Sequence, residues 1–425
     1  MIWLRGENDT SLWQGIDKMN RQTKIGRSGA GVPGTIWNPT FIGAFIVNVL
    51  LYLEIGMVGT LSSKYVNFLG GTESVVGLVT NLFAPTALVF KFVSAPAIDT
   101  FNKKILLAVS TSVLGVGSLI CSAAGTIPMV AAARLLQGAA VAFATVSART
   151  IAAESLAKEK LEEGIGVFHL GQAACNALVP ILCLEVLAHF DYRTAFLVSA
   201  VVTGGAVIVT LTMHVEHVTT KKFHLSLHDC IAKEAALPAL VMTFLSCANT
   251  VIITFLILYS ETKGIASGVG SFFIVYAVVM LLTRPLVGRL SERYGLVKIF
   301  IPAMGFMIVA FFIISFASSI WALWLAAISA ALGYGASYPA IHALSMKFAP
   351  PERRGAAGCT IYIGVDLGML ISGVVAGTIA ESLGYVTMWR YMVTPLIIAA
   401  FIVVLFRKLI NRIETQFSHE RGNSV

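Results

Sequence analysis

Long apolar stretches alternate with short polar connections along the whole chain. A helix needs roughly 20 residues to cross about 30 Å of hydrocarbon, and twelve apolar blocks of about this length occur in the sequence. They lie at 39–62, 73–93, 105–125, 128–149, 164–187, 194–213, 237–259, 267–287, 299–318, 321–345, 356–380 and 388–406. The pattern predicts an all-α membrane protein with twelve transmembrane helices.

Composition points to the same environment. Hydrophobic residues make up 57% of the 425 positions and charged residues only 12%. A soluble domain carries about 25% charged residues, because its surface must face water. Most of this chain is therefore expected to have lipid as its solvent.

The longest polar interruption, at 214–236, separates the first six blocks from the last six. We interpret it as a cytoplasmic linker between two pseudo-symmetric six-helix bundles, at 37–213 and 237–407. Residues 1–36 and 408–425 are then terminal tails. Transporters are commonly assembled from duplicated bundles of this kind.

Basic residues fall mainly in alternate connections, and this sets the predicted orientation. Lys103, Lys298 and Arg407 belong to the basic set, whereas the connections on the other side hold few cations. Because cytoplasmic loops carry the excess of Lys and Arg, both termini are predicted to be cytoplasmic, in a bacterial-type inner membrane. The asymmetry explains the net charge of +8. We therefore expect contact with membrane lipid and no nucleic-acid partner.

A charged segment recurs after the second and eighth blocks. It reads A-P-A-I-D-T-F-N-K-K at 95–104 and G-R-L-S-E-R-Y-G-L-V-K at 288–298, and alignment places Asp99 opposite Glu292. A carboxylate here can cap a helix N-terminus, where free N–H groups favour negative charge. The alternative is that the charges only solvate a loop and set the topology.

This repeated segment resembles the loop motif G-x-L-x-D-R-x-G-R-K of the major facilitator superfamily, which joins helices two and three and recurs between helices eight and nine. The resemblance assigns a gating motif to Asp99, Lys103 and Lys104 in the first copy and to Gly288, Glu292, Arg293 and Gly295 in the second. The first copy has lost the arginine after Asp99. We therefore expect the second copy to contribute more to gating.

A second resemblance lies in the fourth block. Arg134, Gln137 and Gly138 are similar to the R-x-x-Q-G motif of the same superfamily, especially of its drug and metabolite efflux branch. Membership would imply two bundles that rock about a central cavity and expose it alternately to either side. The segment 171–180 of the fifth block matches the Gly-Pro-rich motif usual in efflux antiporters poorly, so import also stays open.

Three charged residues stand out deep inside predicted spans, where each charge costs roughly 2.5–3.5 kcal/mol on insertion scales and needs a partner or a wet cavity. Glu54 and Arg134 have matching predicted depths and are expected to pair, either as a proton-coupled switch or as a static ion pair. Asp366 has no cation at its depth in the second bundle. It is expected to be a cavity or protonation site, or else a neutral packed acid. Lys91 is placed near a span end as an anchor.

Uncharged polar side chains supply further candidates. Possible substrate contacts, or else interhelical hydrogen bonds, are Asn48, Gln172, Asn176 and Asn249. Trp389 is placed at the membrane interface. No catalytic constellation, metal site, cofactor motif or phosphate-binding loop is evident, so the sequence predicts neither an enzyme nor an ATP-driven pump.

These observations favour a secondary active transporter with a small-molecule substrate and protons as the coupling ion. The leading hypothesis is proton-coupled export of a small, partly apolar compound or metabolite. The alternative is a proton-coupled importer of a small, perhaps anionic, metabolite. A non-transporting membrane receptor fits less well, because no loop is long enough to recognise a protein.

Overall fold

The computed structural model describes residues 36–157, 160–215, 231–350 and 353–422, and the helices there account for nearly all regular structure. The first half contains α1 (Pro39–Phe68), α2 (Glu73–Asn81), α3 (Phe83–Thr100), α4 (Lys103–Ala123), α5 (Ile127–Glu154), α6 (Leu161–His189) and α7 (Tyr192–Thr212). The second half contains α8 (Ala236–Thr262), α9 (Ala266–Tyr294), α10 (Leu296–Phe316), α11 (Ile320–Phe348), α12 (Arg354–Leu383), α13 (Tyr385–Tyr391), α14 (Thr394–Leu405) and α15 (Arg407–Gly422).

These helices form twelve membrane crossings, as the sequence predicted. Ten helical stretches in the described residues are long and apolar enough to span a bilayer, and shorter apolar stretches lie in α6 and α9 at Leu178–His189 and Gly268–Thr283. Several helices continue beyond the apolar block that predicted them. For example, α3 reaches Thr100 although its block ends at 93.

Two crossings are broken near a proline. The second consists of α2 and α3, and the twelfth of α13 and α14. Pro85 and Pro395 lie in the first turn after each break. Because proline has no N–H and its ring crowds the preceding turn, the earlier helix cannot continue through these positions with regular hydrogen bonds.

The helices of each half pack in the same order. In the first half α1 contacts α6 and α7, α4 contacts α5 and α7, and α3 contacts α5. In the second half α8 contacts α12 and α14, α10 contacts α11 and α13, and α9 contacts α11. This equivalence matches the predicted pair of six-helix bundles. The exact domain boundaries stay a prediction, since most of the first tail and of the linker lies outside the described residues.

The two ends of the molecule differ in charge and in packing. We call the end with Lys103, Lys298 and Lys347 the basic face, and the end with Lys64 and Glu261 the opposite face. At the opposite face the bundles touch: Lys64 Nζ lies 2.6 Å from Glu261 Oε1. There the first bundle is also joined to α12, because Ser74 N–H donates to the Glu381 carboxylate at 3.2 Å.

Close backbone contact seals the same face. A Cβ atom added to Gly77 of α2 would lie 1.9 Å from the carbonyl oxygen of Gly373 on α12, and one added to Gly377 would lie 2.5 Å from that of Glu73. No real side chain fits such distances. Glycine therefore permits an approach between the bundles that any other residue would prevent.

The tryptophan placed at the interface by the sequence is instead buried. Trp389 is fully enclosed, with its ring 6.0 Å from that of Tyr259 and 5.3 Å from that of Phe311. The prediction was wrong because α13 carries this side chain toward α8 and α10. Burial of this large aromatic surface stabilises the packing of α13 against α8 and α10.

The glycine contact generates a testable prediction about the state of the molecule. Gly77→Ala should disfavour closure of the opposite face by roughly 1–3 kcal/mol, the usual cost of overpacking, and shift the population toward closure of the basic face. Maleimide labelling of Cys359, which lines the space open to the basic face, should then slow about tenfold in nanodiscs. All proteins in this experiment, including the reference, also carry Cys230→Ser, so that this cysteine of the linker cannot be labelled.

Gly305→Ala is the matched control, because a Cβ atom at this helical glycine meets no atom within 4 Å. It should label at the wild-type rate. Equal labelling rates for Gly77→Ala and the control would contradict the role given to the glycine contact.

Candidate functional site

A large cavity separates the two bundles on the side of the basic face. Its volume is about 1840 Å³. Its deepest wall includes Thr60 and Thr254, and its mouth is lined by Lys298, Lys347 and Arg407. Because the backbones of the two bundles approach closely beyond its deep end, the cavity is closed toward the opposite face and opens toward the basic face.

The partner of Asp366 comes from the other bundle. Lys91 Nζ of α3 lies 2.5 Å from Asp366 Oδ2 of α12, and both side chains line the cavity. The expectation that Lys91 is an anchor at a helix end was wrong, because α3 extends nine residues beyond it, or about 14 Å. The sequence predicted no cation at the depth of Asp366 in the second bundle. Its partner, Lys91, comes from the first bundle instead.

A second contact between the bundles joins Arg149 to Tyr362. The Arg149 Nη2 group of α5 donates to the Tyr362 hydroxyl of α12 at 2.8 Å, and the guanidinium carbon lies 5.1 Å from the ring centroid. Lys91 Nζ lies 5.4 Å from the same centroid. Tyr362 therefore faces two cations, each close enough for a cation–π interaction.

Further aromatic side chains extend from this tyrosine. The Tyr362 ring meets that of His342 edge to face at 5.6 Å, and Tyr338 lies 6.3 Å from His342 and 5.3 Å from Tyr334. All four line the cavity, as does Tyr52. These side chains form an aromatic surface in the cavity wall, with the cations Lys91 and Arg149 beside Tyr362.

The residues expected to form an ion pair in the first bundle are joined instead through an amide. Arg134 Nη1 donates to Gln137 Oε1 at 3.1 Å, and Gln137 Nε2 donates to Glu54 Oε1 at 3.3 Å. Ser118 Oγ donates to the same carboxylate oxygen at 2.8 Å. The predicted proximity of Glu54 and Arg134 is thus present, but the direct ion pair is not, because Gln137 lies between them.

The helix break at Leu82 provides the other partner of Arg134. Thr80 lies in the last turn of α2, where backbone carbonyls lack intrahelical donors. Arg134 Nη2 donates to this carbonyl at 2.8 Å and Nε at 3.3 Å. Its guanidinium also lies 4.5 Å from the Phe83 ring, so a broken helix and an aromatic face together accommodate the buried cation.

Gly138, the last residue of that motif, has a packing role. A Cβ atom on it would lie 2.2 Å from the carbonyl oxygen of Phe83. A larger residue would push α5 away from the start of α3. Arg134 would then lose its position against Thr80.

The predicted substrate contacts separate into different groups. Gln172 and Asn249 line the cavity, and Asn249 Oδ1 accepts from the Tyr276 hydroxyl at 3.1 Å. Asn48 is buried and donates to the Phe168 carbonyl at 3.0 Å, so it links α1 to α6. The side chain of Asn176 lies outside those that the structure describes.

The repeated charged segment is mostly helical. Asp99 lies in α3, and Gly288, Glu292 and Arg293 lie in α9, although none of these side chains is among those described. The connecting residues are only Phe101 and Asn102 in the first copy and Gly295 in the second. The motif is therefore formed by two helix ends and a tight turn.

In the first copy an amide oxygen, and not the carboxylate expected from the sequence, caps the following helix. Asn102 Oδ1 accepts from Lys104 N–H at 3.0 Å and so caps α4. Lys103 pairs with Glu154 at the end of α5, and Lys104 Nζ donates to the Leu211 carbonyl at 2.7 Å. Both lysines thus tie the segment to helices other than α3.

In the second copy a distant helix supplies the cap. Gly295 has a φ of 82°, a left-handed conformation that glycine adopts readily. Glu414 of α15 accepts from Leu296 N–H at 3.1 Å through Oε2 and pairs with Lys347 at 3.1 Å through Oε1. The carboxylate therefore stabilises the positive end of α10 and joins α15 to the mouth of the cavity.

Sequence reasoning missed Arg149 and the tyrosines. Arg149 lies only five residues before the end of α5, in a position that resembles an interfacial anchor. Its spacing of 15 residues from Arg134 was a usable signal, because at 3.6 residues per turn it places both cations on roughly the same face. The partner Tyr362 had no such signal, since a tyrosine in an apolar helix is ordinary.

Comparisons with known proteins agree with this architecture. The sequence profile of the Major Facilitator Superfamily matches residues 44–265 and 238–423. An uncharacterized MFS-type transporter of Methanocaldococcus jannaschii is 22% identical over 360 residues, covering 82% of this chain and 92% of the relative. The staphylopine export protein of Staphylococcus aureus is 19% identical over 87% of this chain and 96% of its own.

A solved structure gives the same fold. The crystal structure of a point mutant of the nucleoside transporter NupG superposes with a TM-score of 0.75 at 14% identity, covering 86% of this chain and all of that one. At this identity the likeness concerns the fold alone.

The bridge between bundles yields a prediction about stability. Lys91→Met should lower the thermal midpoint in detergent strongly, because an unpaired buried carboxylate costs roughly 3–5 kcal/mol. The double variant Lys91→Met with Asp366→Leu should recover most of that loss, since it leaves no buried charge. Lys64→Met is the control; its bridge is more exposed and worth about 0–1 kcal/mol. Additive losses in the double variant would contradict the pairing.

Proposed function

The chain belongs to the Major Facilitator Superfamily and is an integral membrane transporter, and from this premise we propose that it exports a small, partly apolar compound in exchange for protons. The substrate occupies the cavity between the bundles. Alternating access then exposes that cavity to the basic face and to the opposite face in turn. We place the basic face in the cytoplasm of a bacterial-type cell, because of its excess of Lys and Arg.

One observation carries the proton coupling. Glu54 is 1% exposed, and its described hydrogen-bond partners are the uncharged donors Ser118 and Gln137. A carboxyl group inside a membrane without a directly bonded cation is unusual, and such groups mark proton pathways in pumps and transporters. Gln137 also joins it to Arg134, which lines the cavity.

The chemistry of this chain links proton and substrate. An ionised Glu54 can only accept hydrogen bonds, whereas its protonated form can donate one. A protonated Glu54 can donate to Gln137 Oε1, an arrangement that requires rotation of the Gln137 amide. Rotation removes the acceptor that Arg134 now uses, so a proton on Glu54 changes the hydrogen bonding of a cation in the cavity wall.

A change from one access state to the other must rearrange the contacts between the bundles. Opening the opposite face requires separation at Lys64–Glu261 and at Gly77–Gly373. Closing the basic face must narrow the mouth of the cavity, which is lined by Lys298, Lys347 and Arg407. A ligand that binds one arrangement better shifts the population by no more than that difference in affinity.

Export is supported by the relative whose printed function is staphylopine export. Import by the same fold is the second candidate, because the fifth crossing matches the Gly-Pro-rich antiporter motif poorly. Flux in proteoliposomes under an imposed pH gradient decides between them. Antiport should concentrate the substrate in the more acidic compartment, because protons leave that compartment as substrate enters. Symport should concentrate it in the more alkaline one, and that outcome would favour import.

The coupling role of Glu54 is tested by its amide. With a substrate found by thermal-shift screening in detergent, Glu54→Gln should reduce accumulation driven by a pH gradient about tenfold or more, within the usual range of coupling energies. Exchange of labelled for unlabelled substrate without a gradient should continue, because the amide still accepts from Ser118. Proteoliposome flux measures both.

Glu185→Gln serves as control, because this carboxylate on the same bundle is exposed and its side chain pairs only with His189 among the described residues. It should retain wild-type coupling. Glu54→Gln protein that transports with an unchanged pH dependence would overturn the proposal.

A further inference from the structure

We propose that the substrate is an organic anion with a planar, unsaturated ring, whose acidic group binds Arg149 and whose ring lies on the adjacent tyrosines. This inference deepens the proposed function and rests on it. It is carried by the balance of charges in the cavity, by the bonding of Arg149 and by the aromatic surface around it.

The charge balance of the cavity wall is positive. Within the membrane, its described lining contains the cations Lys91, Arg134 and Arg149 but only one carboxylate, Asp366. Lys298, Lys347 and Arg407 line the mouth with a single carboxylate, Glu414. Such a cavity concentrates anions and repels cations before any specific contact forms.

Among these three described cations of the membrane-embedded lining, Arg149 is the one with unused bonding capacity. Lys91 is paired with Asp366, and Arg134 donates to Thr80 and Gln137. The described partner of Arg149 is a neutral hydroxyl, that of Tyr362, and its buried Nε has no hydrogen-bond acceptor. No described carboxylate lies within 4.0 Å of its guanidinium.

An anionic ligand would complete this site. A guanidinium presents N–H donors in a planar fork that matches a carboxylate or a phosphonate. The two Nη groups of Arg149, a residue of the cavity wall, could bind two oxygens of such a group, which would neutralise the charge. A neutral ligand leaves the charge uncompensated, and a cation adds to it.

The surroundings of Arg149 favour a planar apolar body on that anion. The guanidinium carbon lies 5.1 Å from the centroid of the Tyr362 ring, and the rings of His342, Tyr338 and Tyr334 continue from that ring along α11. Aromatic surfaces prefer offset or edge-to-face contact with another ring, worth about 0.5–1.5 kcal/mol beyond burial. Because Arg149 belongs to the first bundle and these rings to the second, the ligand would connect both.

A matched ligand series tests the inference on the full chain in nanodiscs. Isothermal titration compares 2-naphthoate with 2-naphthamide, with the 2-naphthylmethyl ammonium ion and with decalin-2-carboxylate. We expect 2-naphthoate to bind about tenfold or more tightly than the amide, as a charge-assisted hydrogen bond implies, and several-fold more tightly than the saturated acid. The ammonium ion should bind weakest.

Variants assign the selectivity to Arg149. Arg149→Gln should reduce the preference for acid over amide to about one while leaving affinity for the amide within a few-fold, which a misfolded protein would not do. Arg149→Lys should retain part of the preference, since it keeps the charge without the fork. Arg390→Gln, a cation removed at the opposite face where it stacks on Phe316, should bind like wild type.

Equal or tighter binding of the amide or the ammonium ion, or no binding of 2-naphthoate to monodisperse wild-type protein, would overturn the inference. Binding at equilibrium needs no proton gradient, so the proposed substrate class can be tested independently of the proposed proton coupling. Selective binding without proton-driven flux would refute the transport coupling alone. Flux of a cationic substrate that depends on Glu54, with no binding of 2-naphthoate, would refute the substrate class alone.

Discussion

The cost of placing a charge inside a membrane organises the space between the two bundles. An ionised group there loses several kcal/mol of hydration, so each one must find a partner, and the partners available determine which surfaces meet. Asp366 finds Lys91 across the bundle interface. Arg134 finds the open carbonyl of Thr80. Among the residues that the structure describes, Arg149 finds only a tyrosine hydroxyl and a ring face, and the resulting excess charge makes the cavity wall positive.

The same interface combines two kinds of contact with different consequences for motion. At the opposite face the bundles approach through glycine backbones and leave no room for water. On the other side they meet through long side chains, Lys91 and Arg149, whose several rotatable bonds allow contact over a range of separations. The interface therefore combines a rigid, short-range contact with flexible, longer-range ones, and the flexible contacts tolerate a change in separation that the glycine contact does not.

The broken second crossing connects the fold to the site. Pro85 prevents a regular helix through Leu82, and the resulting helix end supplies the acceptor that a buried Arg134 needs. Gly138 brings α5 close enough for that contact. The three residues of the R-x-x-Q-G motif thus have separate roles. Arg134 supplies a cation, Gln137 connects it to Glu54, and Gly138 allows α3 and α5 to approach closely.

The sequence alone determined the solvent and the number of crossings, and it singled out Glu54, Arg134 and Asp366 within them, because apolar length and the cost of burying charge act locally along the chain. It also placed Glu54 and Arg134 near each other by depth. It did not determine that Gln137 would lie between them, that Lys91 would reach Asp366, or that Arg149 would face a surface of tyrosines. Those pairings join residues up to 275 positions apart and depend on the rotation of each helix and on the extent of α3 beyond its apolar block. Only the tertiary structure fixes these, because lipid imposes no preference on which polar side chains meet, and packing between the bundles does.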